Sequence, residues 1–323
     1  MQKRCAHLPS WHKRIFLFPV EFSHWKVHIC SHNNFPTAAG LASSASGFAA
    51  LAYSLAKLYQ LSASPKELSL IARQGSGSAC RSLFGGFVAW REGTAADGSD
   101  SFAEQVASEA HWPDMRALIC VVSDDKKGTS STAGMQRTVE TSALFPQRLQ
   151  VVPERMRAIT EAIQKHDFDT FAAITMKDSN QFHAVALDTD PPIFYMNDVS
   201  RAIISVVTEY NRVALETGGK RKAAYTFDAG PNAVIYAPRE NMKEIIELIV
   251  WYFPQESFSD PFQLFAGASV QARRVDGFNP AVAKQFGMGA VKTLIHTSVG
   301  DGPRVRGDDE TLLGADGLPK TLA

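Results

Sequence analysis

Apolar residues recur along the chain with two periods. Alternation or short apolar runs mark strands at 26–31, 87–90, 115–123, 224–227, 233–236, 268–273 and 291–297. Spacing near 3.6 marks helices at 48–58, 152–166, 168–183, 199–215 and 241–253. Ser64-Pro65-Lys66-Glu67 opens a further helix, with Ser64 as cap, Pro65 in the first turn and Glu67 completing a capping box. Thr217-Gly218-Gly219-Lys220-Arg221-Lys222 reads as a basic, glycine-ended helix stop. No internal repeat is visible, and the Gly- and Pro-rich stretch 301–323 reads as a loose tail.

Between these elements lie four polar, small-residue stretches where chemistry can sit. Asn33-Asn34-Phe35-Pro36-Thr37-Ala38-Ala39-Gly40-Leu41-Ala42-Ser43-Ser44-Ala45-Ser46-Gly47 runs from the first expected strand into the Ala-rich helix 48–58. A small-residue loop at a helix start presents backbone N–H groups and the positive end of the helix dipole, and Ser43 and Ser44 add hydroxyls, so the stretch suits a phosphate. Tight packing of a buried helix is the alternative. Gly75-Ser76-Gly77-Ser78-Ala79-Cys80-Arg81 is a turn into a short helix, then Gly85-Gly86 enters a strand. Serine hydroxyls beside a guanidinium suit a carboxylate or phosphate, although a solvated turn with a surface Arg is equally simple chemistry. Residues 124–135 form a mixed-charge, hydroxyl-rich connection into a helix. Asp228-Ala229-Gly230-Pro231-Asn232 is a tight turn between two strands, where Asp228 either makes the turn or aims a carboxylate from a rigid support. The dense polar run Met176-Lys177-Asp178-Ser179-Asn180-Gln181-Phe182-His183 reads as a wet helix face, with His183 structural.

Composition narrows the class. The chain has 323 residues, 45% hydrophobic and 20% charged, enough for two packed domains or one large one. Its formal net charge is zero, which argues against nucleic acid or an anionic membrane as main partner. Cys5, Cys30, Cys80 and Cys120 are far apart without a Cys-x-x-Cys pair, which suits reduced thiols better than a disulfide framework or zinc site. No apolar run is long enough to insert across a membrane. Basic residues ahead of Ile15-Phe16-Leu17-Phe18 faintly resemble a signal peptide, but no small-residue cleavage site follows. No Walker-type Gly-x-x-x-x-Gly-Lys-Ser/Thr occurs.

Pro36-x-x-x-Gly40-Leu41-x-Ser43-Ser44-Ala45 resembles the phosphate motif of the GHMP small-molecule kinase superfamily. The longer string from Asn33 to Ser44, the strings around Arg81 and Asp228, and Leu312-Leu313-Gly314-Ala315-Asp316-Gly317-Leu318-Pro319-Lys320 resemble, more specifically, the diphosphomevalonate decarboxylase family. The likeness is read from Lys26 to the end, with 1–25 a divergent segment standing where that family has a Lys-Tyr-Trp segment and further strands. It implies an α+β chain with a GHMP-kinase-like two-domain fold: a ribosomal S5 domain 2-like N-terminal half at 26–113, its sheet incomplete, and an α/β C-terminal half at 114–323. It implies ATP-dependent decarboxylation of 5-diphosphomevalonate to isopentenyl diphosphate in isoprenoid and sterol synthesis, with ATP and Mg²⁺ as cofactors, in the cytosol and as a homodimer. By the same resemblance, Gly40, Leu41, Ala42, Ser43 and Ser44 bind ATP. Ser76, Ser78, Arg81, Ser131 and Thr132 bind substrate. Arg81 holds the substrate carboxylate and keeps Asp228 ionised. Asp228 orients or deprotonates the tertiary hydroxyl and later faces the positive charge left when phosphate departs. Two alternatives stay open: a catalytically impaired variant that acts only as a dimer partner, and a related GHMP kinase such as a mevalonate kinase.

Overall fold

The computed structural model describes residues 25–37, 40–123 and 129–321. The basic-then-apolar segment before Trp25, Ala38-Ala39 of the small-residue loop, and residues 124–128 lie outside the described residues. The chain divides into two compact units. One holds the described residues up to Phe35, then Ala42–Ser108 and the chain from Gly300. The other holds Pro36–Leu41 and Glu109–Val299.

In the first unit, α1 (Ser43–Leu58) and α2 (Pro65–Gly75) precede a 3-10 helix (Gly77–Leu83) and an antiparallel pair, β1 (Phe87–Trp90) and β2 (Ala103–Ala107). The small residues of α1 let neighbours come close: Ala49 and Ala56 pack with Leu68, Ala72, Ala79 and Leu83 in one buried cluster. The capping box of α2 forms as read, Ser64 Oγ accepting from the Glu67 N–H at 3.3 Å and Glu67 accepting from the Ser64 N–H at 2.7 Å. Gly85-Gly86 has a packing reason. The Gly86 N–H donates to Gly300 O at 2.8 Å, and a Cβ on Gly85 would lie 2.3 Å from Asp301 O.

In the second unit, β3 (Met115–Val121), α3 (Ser131–Thr141), α4 (Phe145–Gln164), α5 (Phe168–Leu187), α6 (Asp198–Glu216), β4 (Ala224–Phe227), β5 (Ala233–Pro238), α7 (Arg239–Tyr252) and β6 (Thr293–Ser298) follow in order. The four strands form one antiparallel sheet in the order β4-β5-β3-β6, so β4 is an edge. Leu118, Ile203, Val206, Tyr210, Ile235, Ile246 and Phe253 lie in its core. The chain is thus the mixed α+β fold that the resemblance implied, with two sheets among the described residues, one of only two strands.

Three expectations are corrected. Residues 26–31 form no strand; Val27, Ile29 and Cys30 line an apolar cavity with Phe48, Leu51 and Leu55 of α1. Residues 268–273 form none either, and Ala268, Ser269, Gln271, Ala272 and Arg273 are exposed. Alternation favours an extended chain, but a strand also needs a hydrogen-bonded neighbour, and no described strand runs beside either segment. The polar run on α5 is not a wet face. Arg148 and Arg155 of α4 both bond Asp178, at 2.8 and 2.9 Å, and Ser179 and His183 are buried. Burial pushes the Asp178 carboxyl up, but the bonds and charges of the two arginines outweigh it and hold it below its ordinary value.

Candidate functional site

In the first unit the candidate residues gather at the start of α1. Ala42, the N-cap, is left-handed at φ 56° and supplies no side-chain oxygen to the first turn, which also carries no acidic residue. A left-handed residue ahead of a 16-residue helix turns successive N–H groups toward one point and adds the dipole, the geometry of a phosphate nest. Ser44 Oγ lies 3.2 Å from Ser76 Oγ, so the two glycine- and serine-rich stretches meet here. Ser76 ends α2, and the glycines around it face rings: a Cβ on Gly75 would lie 2.3 Å from Phe48, and one on Gly77 2.9 Å from Trp90. The next turn buries Ala79, Cys80 and Leu83, leaving Ser78 half-buried and Arg81 exposed. Burial pushes the Cys80 thiol up, against the opposing pull of Arg81, so this cysteine is a packing residue and not a thiolate nucleophile.

In the second unit they gather around the β4–β5 turn. Asp228 is exposed at the end of β4, while Ala229 and Gly230 behind it are buried. Asn232, fully buried, holds the turn to the end of β3. Its Oδ1 accepts from the N–H groups of Val122 at 2.6 Å and Ser123 at 3.0 Å, and its Nδ2 donates to Ser123 O at 2.9 Å. Ser200 Oγ, which also accepts from the Asn197 N–H in the capping box of α6, donates to Pro231 O at 2.8 Å. Gly40, buried and left-handed at φ 77°, lies against this turn, where a Cβ would sit 2.7 Å from Gly230 Cα. The loop glycine and the Asp228 turn are therefore neighbours within one unit.

Ser131 and Thr132 occupy the first positions of α3, whose N-cap Ser130 accepts from the Ala133 N–H at 3.1 Å. A Cβ on Gly134, one turn in, would lie 2.3 Å from the Tyr195 hydroxyl oxygen. Burial and, secondarily, the charge of Asp228 push the Tyr195 phenol up. Tyr195 so relates the α3 start to the Asp228 turn. The expected residues fall into two sets, Ala42, Ser43, Ser44, Ser76, Ser78 and Arg81 in the first unit, and Gly40, Leu41, Ser131, Thr132 and Asp228 in the second. Sequence reasoning did not single out Asn232, Tyr195 or Ser179. Only Asn232 carried a local signal, as an amide closing a Gly-Pro turn.

The residues fit a phosphate ligand by the left-handed Ala42, the uncapped first turn and the absence of a first-turn acid. Among the described residues no group of three or more His, Cys, Asp or Glu stands ready to hold a metal ion. A magnesium ion that rides on nucleotide phosphates needs few protein ligands.

The sequence matches the family described as Mevalonate 5-diphosphate decarboxylase C-terminal domain over residues 117–306, and that described as Diphosphomevalonate decarboxylase-like N-terminal domain over residues 3–103. The second match begins ahead of Lys26, so the likeness reaches into the segment that the motifs alone set apart. The chain is 70% identical over 302 residues to a diphosphomevalonate decarboxylase of Ganoderma lucidum, covering 93% of this chain and 76% of that one. It is 47% identical to a crystal structure of mevalonate 5-diphosphate decarboxylase, with a TM-score of 0.77, covering 98% of this chain and 78% of that one. A structure described as MDDEF in complex with MVAPP, AMPPCP and magnesium is 36% identical with a TM-score of 0.59, covering 67% of this chain and 64% of that one.

Proposed function

The chain belongs to the diphosphomevalonate decarboxylase family, and from that premise we propose how its residues divide the reaction. The activity is ATP-dependent decarboxylation of 5-diphosphomevalonate to isopentenyl diphosphate, with release of ADP, phosphate and carbon dioxide; ATP and Mg²⁺ are required. Magnesium-bound ATP supplies the phosphoryl group that converts a tertiary hydroxyl into a leaving group.

Gly40, Leu41, Ala42, Ser43 and Ser44 cradle the nucleotide phosphates with main-chain N–H groups and hydroxyls. Arg81 takes the substrate carboxylate on its planar fork, and Ser76, Ser78, Ser131 and Thr132 bond substrate oxygens. Asp228 accepts the proton of the tertiary hydroxyl, or orients that hydroxyl for attack. When phosphate leaves, positive charge develops at the tertiary carbon, and the same carboxylate stabilises it. The observation that supports this assignment is the rigidity behind an exposed carboxylate. Asn232 anchors the turn with three hydrogen bonds, Ser200 holds Pro231, and Gly40 packs on Gly230, yet Asp228 itself stays open to solvent. A turn-making Asp would need none of this support.

The homodimer and the cytosolic location belong to the same proposal and rest on the family resemblance. Among the described residues no helix is long and apolar enough to cross a membrane.

Carbon dioxide release from 5-diphosphomevalonate with Mg-ATP tests the reading. Release is expected from the 323-residue chain and is expected to vanish in Asp228→Asn, which keeps the shape of the side chain and removes its charge, while substrate binding is largely retained. An Asp228→Asn variant that turns over normally refutes the role of Asp228.

A further inference from the structure

Ser76 is the joint between two helices. It is extended, at φ −152° and ψ 123°, between α2, which ends at Gly75, and the 3-10 helix, which starts at Gly77. Both of its main-chain groups are taken. The N–H donates to Ala72 O at 3.1 Å, and the carbonyl accepts from the Ala79 N–H at 2.9 Å. The hydroxyl is what remains to offer a ligand, and it lies 3.2 Å from Ser44 Oγ. Each flanking glycine is covered by a ring, Gly75 by Phe48 and Gly77 by Trp90. Neither glycine has a positive φ, so what they supply is room for the rings.

The two rings differ in how firmly they are held. Phe48 is 41% exposed and has no polar atom to tie it. Trp90, on β1, is half-buried and tied through its nitrogen. Its Nε1–H donates to Ser101 Oγ at 3.0 Å, and that hydroxyl spends its own proton on Arg91 O at 3.2 Å. Ser101 is 5% exposed, so water competes little for these bonds. The β1–β2 pair and its loop are in turn fastened to α2, the helix that ends at the Ser76 joint. Arg73 donates to Gly98 O at 2.9 Å, the Ala103 N–H donates to Ser69 Oγ at 3.4 Å, and the Lys66 ammonium stands 3.6 Å over the Phe102 ring. The outer edge of the indole therefore meets Gly77 at a fixed place, where an added Cβ would lie 2.9 Å from Cη2 and 3.2 Å from Cζ3.

We propose that Trp90 is a positioning residue for the substrate, acting through Gly77 on the Ser76 hydroxyl, with Ser101 holding the indole in place. The proposal rests on the assignment above of Ser76 to a substrate oxygen. With the ring gone, the joint is free to turn about its extended residue, and the hydroxyl leaves the direction in which that oxygen meets it. A hydroxyl that bonds the substrate alike before and during the reaction acts on KM rather than on kcat. One hydrogen bond to a charged oxygen is worth about tenfold or more, which sets the size of the effect.

The test measures kcat, both KM values and thermal stability for the full chain and for Ser76→Ala, Trp90→Phe, Ser101→Ala and the double variant of the first two. Phenylalanine keeps an aromatic ring on β1, but it ends short of Cη2 and Cζ3 and has no N–H. In Trp90→Phe the KM for 5-diphosphomevalonate rises about tenfold, while kcat and the KM for ATP stay within about threefold. Ser101→Ala raises the same KM at least about threefold. Because Trp90 acts through Ser76, the double variant matches Ser76→Ala within about twofold instead of multiplying the two effects. A ring that merely packs would lower stability and leave that KM alone. An unchanged KM in Trp90→Phe, or effects that multiply in the double variant, overturns the proposal. Should Trp90→Phe fail to fold, Ser101→Ala alone and combined with Ser76→Ala decides it by the same two criteria. An unchanged KM in Ser76→Ala removes the underlying assignment and this inference with it, whereas a raised KM there beside a wild-type KM in Trp90→Phe removes only this inference.

Discussion

Gly40 and Gly230 meet backbone to backbone: a Cβ on Gly40 would lie 2.7 Å from Gly230 Cα and 2.9 Å from Gly230 N, with no flexible side chain to yield. Gly40 also sits at φ 77°, where an L side chain costs about 1–2 kcal/mol. Gly40→Ala therefore forces the loop off the Asp228 turn. A rise of at least about tenfold in the KM for ATP is expected, since 1.4 kcal/mol is a tenfold change. The contrast is Gly47, inside α1 with nothing within 4 Å of an added Cβ. Gly47→Ala should leave that KM alone and stabilise the protein by about 0.5–1 kcal/mol through helix propensity. An unchanged ATP KM in Gly40→Ala would count against a phosphate role for the loop.

Arg81 stands exposed on the turn whose Ala79, Cys80 and Leu83 are buried, so substitution there leaves the core intact. Lysine keeps the charge and loses the fork that grips a carboxylate at two points. Bonds to charged groups contribute about 1.5–3 kcal/mol, so Arg81→Lys should raise the KM for 5-diphosphomevalonate about 10- to 100-fold with stability unchanged. A KM equal to wild type would mean that Arg81 does not touch the substrate.

Asn232→Ala removes the acceptor for the Val122 and Ser123 N–H groups and the donor for Ser123 O, all at the buried end of β3. Each polar group buried without its bond costs about 1–3 kcal/mol, so a loss of about 2–4 kcal/mol in urea unfolding is expected, relaxation absorbing part. Because the same side chain anchors the Asp228 turn, kcat should fall with stability in the folded fraction. Full kcat in that fraction would show that the turn holds without it.

What was legible in the sequence had its cause close by. The Ser64–Glu67 box formed because both partners lie within one turn. The β4–turn–β5 hairpin formed because Gly-Pro-Asn dictates a reversal whatever surrounds it. Residues 26–31 and 268–273 misled because their alternation says nothing of a neighbour. The helix read at 152–166 begins at Phe145 and carries Pro153 inside it. The polar face of α5 was the hardest case. A Ser in so polar a run looks solvated, unless one knows that the edge strand β4 lies alongside and that its Phe227 N–H needs an acceptor. Long-range hydrogen bonding of this kind leaves no periodic trace.

His296 supplies the last prediction, on stability against pH. It lies on β6 opposite Leu118 of β3, 5% exposed, with both ring nitrogens lacking a partner among the described residues. The charged and aromatic groups about it are Arg116 of β3, Asp260, and Phe262, whose ring centre is 4.5 Å away. Burial, and then the Arg116 charge, lower its pKa from 6.5 to about 4, against the pull of Asp260. Between those two values the unfolded chain takes up a proton that the folded one refuses, so stability is lost as pH falls through that window and is unaffected by this group above it. At 1.36 kcal/mol per unit, lowering the pH from 7 to 5 should cost the native protein about 2 kcal/mol through this ring as an upper bound. Other groups titrate too, so the reading is a difference: urea unfolding at both pH values for wild type and His296→Leu. The wild type should lose about 1–2 kcal/mol more than the variant, whose buried leucine binds no proton. Equal losses in the two proteins would mean that the folded state accommodates the imidazolium, through water or a partner brought in by local opening, and that the ring carries no acid sensitivity.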